Sequence, residues 1–118
     1  AKGKEENLRH FLFSESPALF CLVAVKNEKI IGYASYMIQF STWDACPYVY
    51  MDCLYLLEEY RGFGIGQQLI ERIQLEAKKL GIKEIQWQTP AFNTRAIKFY
   101  DRIGGKSKSK ERYFFEVT

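Results

Sequence analysis

The chain predicts an α/β fold, a mixed but mostly antiparallel twisted sheet with helices on both faces. Three observations lead there. Short apolar, β-prone runs are joined by tight turns. One apolar-striped helix is followed by a further strand. The stretch "EEYRGFGIGQQLIERI", residues 58 to 73, sets Gly62, Gly64 and Gly66 at alternate positions where that helix must begin. A strand–helix–strand unit mixed with hairpins brings both pairing senses into one sheet and requires helices to cover it.

Residues 4 to 13 are weakly helical, with Leu8, Phe11 and Leu12 at helical spacing. "ALFCLVAV" (18 to 25) and "IIGYASYMIQF" (30 to 40), joined by "KNEK", read as a β-hairpin. After the irregular "STWDACP" comes "YVYMDCLYLL" (48 to 57), apolar at nearly every position. Such continuity marks a strand covered on both faces, in the middle of a sheet. The helix behind the glycines is expected over about 65 to 80, with Leu69, Ile70, Ile73, Ala77 and Leu80 in one stripe and Gly81 as its C-cap. "IKEIQWQ" (82 to 88) is expected as a fourth strand. Asn93 or Thr94 caps a short helix over 94 to 103, which Gly104 and Gly105 end. The basic turn "KSKSKER" then leads to a last strand, "RYFFEVT". With no repeat and no linker, residues 1 to 118 read as a single domain.

A chain of 118 residues suffices for one core, burying roughly 65% of its unfolded surface. Hydrophobic content of 47% with 26% charged residues is globular composition and argues against disorder. The formal charge of +3 is too mild to indicate nucleic acid, though it tolerates a polyanionic ligand. Cys21, Cys46 and Cys53 show no C-x-x-C spacing and His10 is the sole histidine, so neither a metal site nor a thiol–imidazole nucleophile is expected. Unpaired thiols suit a reducing cytoplasm. No segment approaches membrane-spanning length, and "AKGKEENLRHF" lacks a signal-peptide core.

A glycine loop between strand and helix can turn several backbone N–H groups outward at the positive end of the helix dipole, which makes an anion site. Two familiar versions do not fit. A P-loop needs a Lys-Ser/Thr pair after its last glycine, and the dinucleotide fingerprint needs a third glycine where Gln67 stands. A tight turn with close helix–sheet packing is the alternative use of these glycines. The pattern present, Arg61-Gly62-Phe63-Gly64-Ile65-Gly66, is [QR]-x-x-G-x-[GA], and "FNTRAIKFYDRIGG" follows it as N-x-x-[AS]-x-x-[FL]-Y-x-[KR]-x-G. Together these resemble the GNAT superfamily of N-acetyltransferases over residues 18 to 118. The stretch "YMDCLYLLEEYRGFGIG" is most similar to the diamine (spermidine/spermine) and thialysine acetyltransferase branch.

The resemblance implies acetyl-CoA as co-substrate, no metal, and direct transfer to an amine. It implies a splayed central strand whose Leu54, Tyr55 and Leu56 backbone groups pair with the pantetheine arm. Arg61, Gly62, Phe63, Gly64, Ile65, Gly66 and Gln67 would hold the diphosphate, and Asn93 and Arg95 would contact the cofactor further along. Asp52 matches the branch's acid near the amine, and Tyr100 matches its tyrosine acid at the leaving thiolate. Their bland readings are a hydrogen-bonded strand aspartate and an aromatic packed beside Ile97 and Ile103. Trp43, Gln86, Trp87 and Gln88 would line the acceptor, although either tryptophan serves equally as core. Cys53 stands where the diamine enzymes carry a second acid, which disfavours a polycation such as spermidine and leaves thialysine-like, amino-acid-like or aminoglycoside amines open as small-molecule acceptors. The family's first strand and helix are missing or shortened here, so the edge of "ALFCLVAV" calls for a homodimer partner or further chain. Acetylation of a protein amine and a non-catalytic acyl-CoA-binding module are the competing readings.

Overall fold

The computed structural model describes residues 2–117. The chain forms two compact units, Ala1–Gln88 and Thr89–Thr118. Among the described residues no helix is long and apolar enough to cross a membrane.

The first unit opens with helix α1 (Lys2–Phe13). A four-stranded sheet follows, β1 (Phe20–Lys26), β2 (Lys29–Ser41), β3 (Cys46–Leu56) and β4 (Ile85–Gln86), in that spatial order. β1, β2 and β3 pair antiparallel, and β4 joins β3 in parallel. The sheet is therefore mixed and mostly antiparallel, as the hairpins and the crossover require. "KNEK" makes the first hairpin, with Asn27 and Glu28 both at positive φ (51° and 63°) between Lys26 and Lys29. That is the two-residue turn whose twist suits adjoining strands. At the second hairpin the Asp44 amide donates to Ser41 Oγ at 3.1 Å, closing the loop before β3.

Helix α2 (Ile65–Lys79) lies over one sheet face and meets β1, β2 and β3. Leu69, Ile70, Ile73 and Ala77 of the helix are buried, as are Ile31, Ala34, Tyr36, Val49 and Met51 of the sheet, and Ile73 is wholly enclosed. Leu80 departs from the expected stripe: it is the C-cap and is 61% exposed. The chain reverses at Gly81 (φ 74°), whose N–H donates to Lys78 O while that of Ile82 donates to Ala77 O. This paired closure is a Schellman end, and it brings Ile82 into the core in place of Leu80.

The fourth strand is shorter than its sequence suggests. Of residues 82 to 88 only Ile85 and Gln86 form ladder pairs, with Val49 and Tyr50.

In the second unit, helix α3 (Thr94–Arg102) is capped by Asn93, whose side-chain oxygen accepts from the Ala96 amide at 3.2 Å. It ends as α2 does: Gly104 N donates to Asp101 O and Gly105 N to Tyr100 O. The expected last strand does not form. Its described residues, 112 to 117, carry no regular structure, with the rings of Tyr113, Phe114 and Phe115 exposed. β-branched and aromatic residues favour a strand only when a neighbouring strand receives their backbone, and none pairs with this segment among the described residues.

Candidate active site

β3 carries one residue more than β2 can match. Ser35 lies opposite Cys53 and Tyr36 opposite Met51, so Asp52 is a β-bulge. An extra residue reverses the alternation of everything beyond it. Ahead of the bulge, Val49 turns toward β4, its amide donating to Glu84 O at 3.0 Å. Beyond it, Leu57 N donates to Ile31 O at 2.9 Å. Because antiparallel pairs alternate, Tyr55 and Cys53 then bond to β2 through Tyr33 and Ser35, whereas Leu54 and Leu56 turn their backbone groups away from it. Among the described residues no ladder pair continues on that side past Tyr50 and Gln86. The two strands part, and within the first unit Leu54 and Leu56 face an open edge. Of the three residues expected to present backbone there, Tyr55 is the one whose main chain is committed to β2.

Gly32 allows β3 to run this close. A Cβ on it would lie 2.6 Å from Tyr55 O and against Leu56 Cδ2.

The edge runs directly into the glycine loop. A 3₁₀ turn, Glu58–Tyr60, reverses the chain, and Gly62 and Gly64 adopt φ of 87° and 80°. A Cβ at either would meet nothing within 4 Å, so it is the left-handed backbone that selects glycine, and the space beside the loop is open. Gly64 is the N-cap of α2, and the first helical bond runs from Gln68 N to Gly64 O at 3.1 Å. The amides of Ile65, Gly66 and Gln67 precede that bond and stand at the positive end of a helix of 15 residues. Gly66 is buried within the helix, while the Phe63 ring is exposed. Arg61 closes the arrangement: its Nε donates to Leu56 O at 3.0 Å, and its guanidinium carbon lies 5.8 Å from the centre of the Tyr55 ring.

Asp52 is exposed, so its carboxylate keeps its water although apolar neighbours flank it in sequence. Beside it, half-buried Cys53 meets the Tyr33 hydroxyl at 3.5 Å. That hydrogen bond, followed by burial and the nearby thiols, pushes the Tyr33 phenol up to about 12. Burial, then the Cys53 thiol, raises Cys21 as well.

The proposed acceptor residues do not all gather. Trp43 sits in the β2–β3 loop, 96% exposed. The strand run from Cys46, at the end of that loop, to Asp52 spans about 20 Å. Gln86 and Trp87 are half-buried at the end of β4. Gln88 Nε2 donates to the Tyr50 hydroxyl at 2.7 Å, and Gln86 Nε2 to Glu84 Oε1 at 2.7 Å. Tyr50 was not singled out by sequence; its opposition to Gln86 across the ladder is what brings it to this edge. In the second unit, Asn93 spends its side-chain oxygen on the cap, Arg95 is exposed in the first turn of α3, and Tyr100 is half-buried.

Comparison with known proteins supplies the family. The model of the acetyltransferase (GNAT) family matches residues 2–105. Bovine thialysine N-epsilon-acetyltransferase is 31% identical over 113 residues, covering 89% of this chain and 66% of that protein, so the chain spans just under two thirds of that relative's length. Among solved structures, an integron cassette protein from the mobile metagenome of V. cholerae superposes with a TM-score of 0.81 at 32% identity, over 96% of this chain and 73% of that one. The aminoglycoside N-acetyltransferase AAC(6')-Iy, solved in complex with CoA, superposes with a TM-score of 0.82 at 20% identity, over 99% and 88% of the two chains. At that identity the second likeness concerns the fold alone.

Proposed function

The chain belongs to the acetyltransferase (GNAT) family, and from that premise we propose that it carries an acetyl group from acetyl-CoA directly to a primary amine of a small molecule. The observation that carries the reading is the open β3 edge at Leu54 and Leu56, leading through Gly62 and Gly64 into the first turn of α2. An extended arm bearing amides fits the edge as an added strand would. A diphosphate fits the amides of Ile65, Gly66 and Gln67, where the helix dipole favours negative charge and no side chain bars its approach at Gly62 or Gly64. Coenzyme A has those two parts in that order, and its acetyl thioester supplies the acyl donor. The activity named for the bovine relative supports the same assignment.

The acceptor must be neutral to attack. With a pKa of about 10.4, about one alkylamine molecule in 2,500 is neutral at pH 7, which leaves about 4.6 kcal/mol to be found if solvent alone removes the proton. Asp52, a hydrated carboxylate at the point where the edge opens, orients the ammonium and receives its proton directly or through water. Tyr100 is assigned the leaving thiolate. A phenol of pKa about 10 gives its proton to a thiolate of pKa about 8.5 uphill by about 2 kcal/mol, so its part is to hydrogen-bond the developing charge and relay a proton. A single acid, with Cys53 beside it, suits a monoamine of amino-acid type better than a polycation.

Titration calorimetry with CoA tests the cradle, and release of free thiol across an amine panel tests transfer. The wild-type protein is expected to bind. Gly64→Val, forced into a left-handed backbone that costs a β-branched residue about 1–2 kcal/mol, is expected to lose about ten-fold or more in affinity. Absence of heat with CoA removes the whole reading. Binding without thiol release on any amine leaves an acyl-CoA-binding module.

A further inference from the structure

We propose that Arg61 is the positioning residue of the donor groove. Its side chain latches the glycine loop to the end of β3 and fixes which backbone groups of that edge a ligand can use. This rests on the reading of the edge as the acetyl-CoA site.

Arg61 is tied to its surroundings three times. Its amide donates to Glu58 O at 3.1 Å, its Nε donates to Leu56 O at 3.0 Å, and its guanidinium lies over the Tyr55 ring at 5.8 Å. The Leu56 carbonyl is one of the outward-facing acceptors that the bulge creates, and Arg61 occupies it. An extended ligand therefore pairs with the N–H and C=O of Leu54 and the N–H of Leu56, and its pairing ends there. Directly after Arg61 the loop has its most permissive backbone, with Gly62 and Gly64 at positive φ and open space around both. Without an anchor immediately before these glycines, the amides at the start of α2 would sample many orientations and lose the convergence that an anion site requires.

The rival role is direct contact of the guanidinium with the ligand's phosphates. Arginine has five N–H donors, and Leu56 uses one. The two roles ask for different replacements. Glutamine places its amide nitrogen as many bonds from the backbone as arginine's Nε, without charge. Lysine keeps the charge but has a methylene where Nε stands.

Arg61→Ala, Arg61→Gln and Arg61→Lys are compared by calorimetric titration with CoA and by hydrogen exchange of the amides from 61 to 67 in the free protein. If Arg61 is a latch, Ala and Lys each weaken CoA binding about ten-fold and speed exchange of the loop, the loss of one charge-assisted hydrogen bond. Gln then loses least, about three-fold, and keeps the loop protected. The reverse order, Lys nearest wild type and Gln as poor as Ala with exchange unchanged, overturns the proposal in favour of an ion contact. Should the wild-type protein fail to bind CoA, the donor reading falls. The exchange comparison still decides whether Arg61 holds the loop.

Discussion

Asp52 combines two properties that are usually found apart: it is the unmatched residue of a bulged ladder and a carboxylate at the mouth of an open edge. Its assigned task predicts a specific kinetic pattern. Asp52→Asn keeps the size of the side chain and removes the base, so kcat/KM for the amine should fall about 100-fold near neutrality. The deficit should shrink as pH rises toward the amine's own pKa, because solvent then supplies the neutral form. A variant with a flat pH profile at wild-type rate would remove the base from the mechanism. Tyr100→Phe should lower kcat ten-fold or more with little change in CoA affinity, and unchanged turnover would dismiss its role at the thiolate. The sequence alone singles out both residues, since a lone acid in an apolar strand and a tyrosine within a recognisable block stand out. The commitment of Tyr55's main chain to Tyr33 is not legible there, because it depends on ladder parity, which changes with the position of one bulge. The separation of Trp43 from Asp52 was hidden for a similar reason: sequence places residues along a strand without saying which end of it holds the site.

Helices α2 and α3 were readable because their punctuation is local. Gly81 and Gly104 end α2 and α3 at positive φ, and Asn93 starts α3 with its own oxygen. Leu80 misled the apolar stripe because the final helical residue turns with the cap, and Ile82 takes the buried place. Strand lengths were less legible. A strand is made by its neighbour, so "IKEIQWQ" shortens to Ile85–Gln86 where β3 bends away, and "RYFFEVT" stays irregular in residues 112 to 117. At the β1–β2 turn the sequence puts a glutamate, Glu28, in a left-handed conformation with φ of 63°. Glycine avoids that penalty of about 1–2 kcal/mol but loses about 0.5–1 kcal/mol more entropy on folding. Glu28→Gly should therefore raise stability by about 0.5 kcal/mol, read from the midpoint of urea unfolding. An unchanged or lowered midpoint would show that the turn is not strained.

For the molecule as a whole, the sheet and α2 of the first unit hold the core residues, whereas residues 106 to 117 of the second carry neither helix nor strand. Amide exchange should separate these regions. The amides of Ala34, Val49 and Met51 should be the slowest, and those from 106 to 117 should exchange at nearly unprotected rates. Protection in the latter segment would mean that it pairs in solution. The fold class was legible at this scale because hairpins and a crossover leave few arrangements, and the glycine loop with its downstream block pointed to the family that matches residues 2–105. The bulge has a consequence for how such a chain can vary. Exchanging the residue at position 52 alters chemistry and leaves the strand's phase intact. Losing it would leave Met51 opposite Tyr36 and Cys53 opposite Ser35, so the bulge would close while the pairs on either side kept their partners. Strand β3 thus carries one residue of slack, and a deletion at position 52 should remove the carboxylate and the local kink while Leu54 and Leu56 still face the edge.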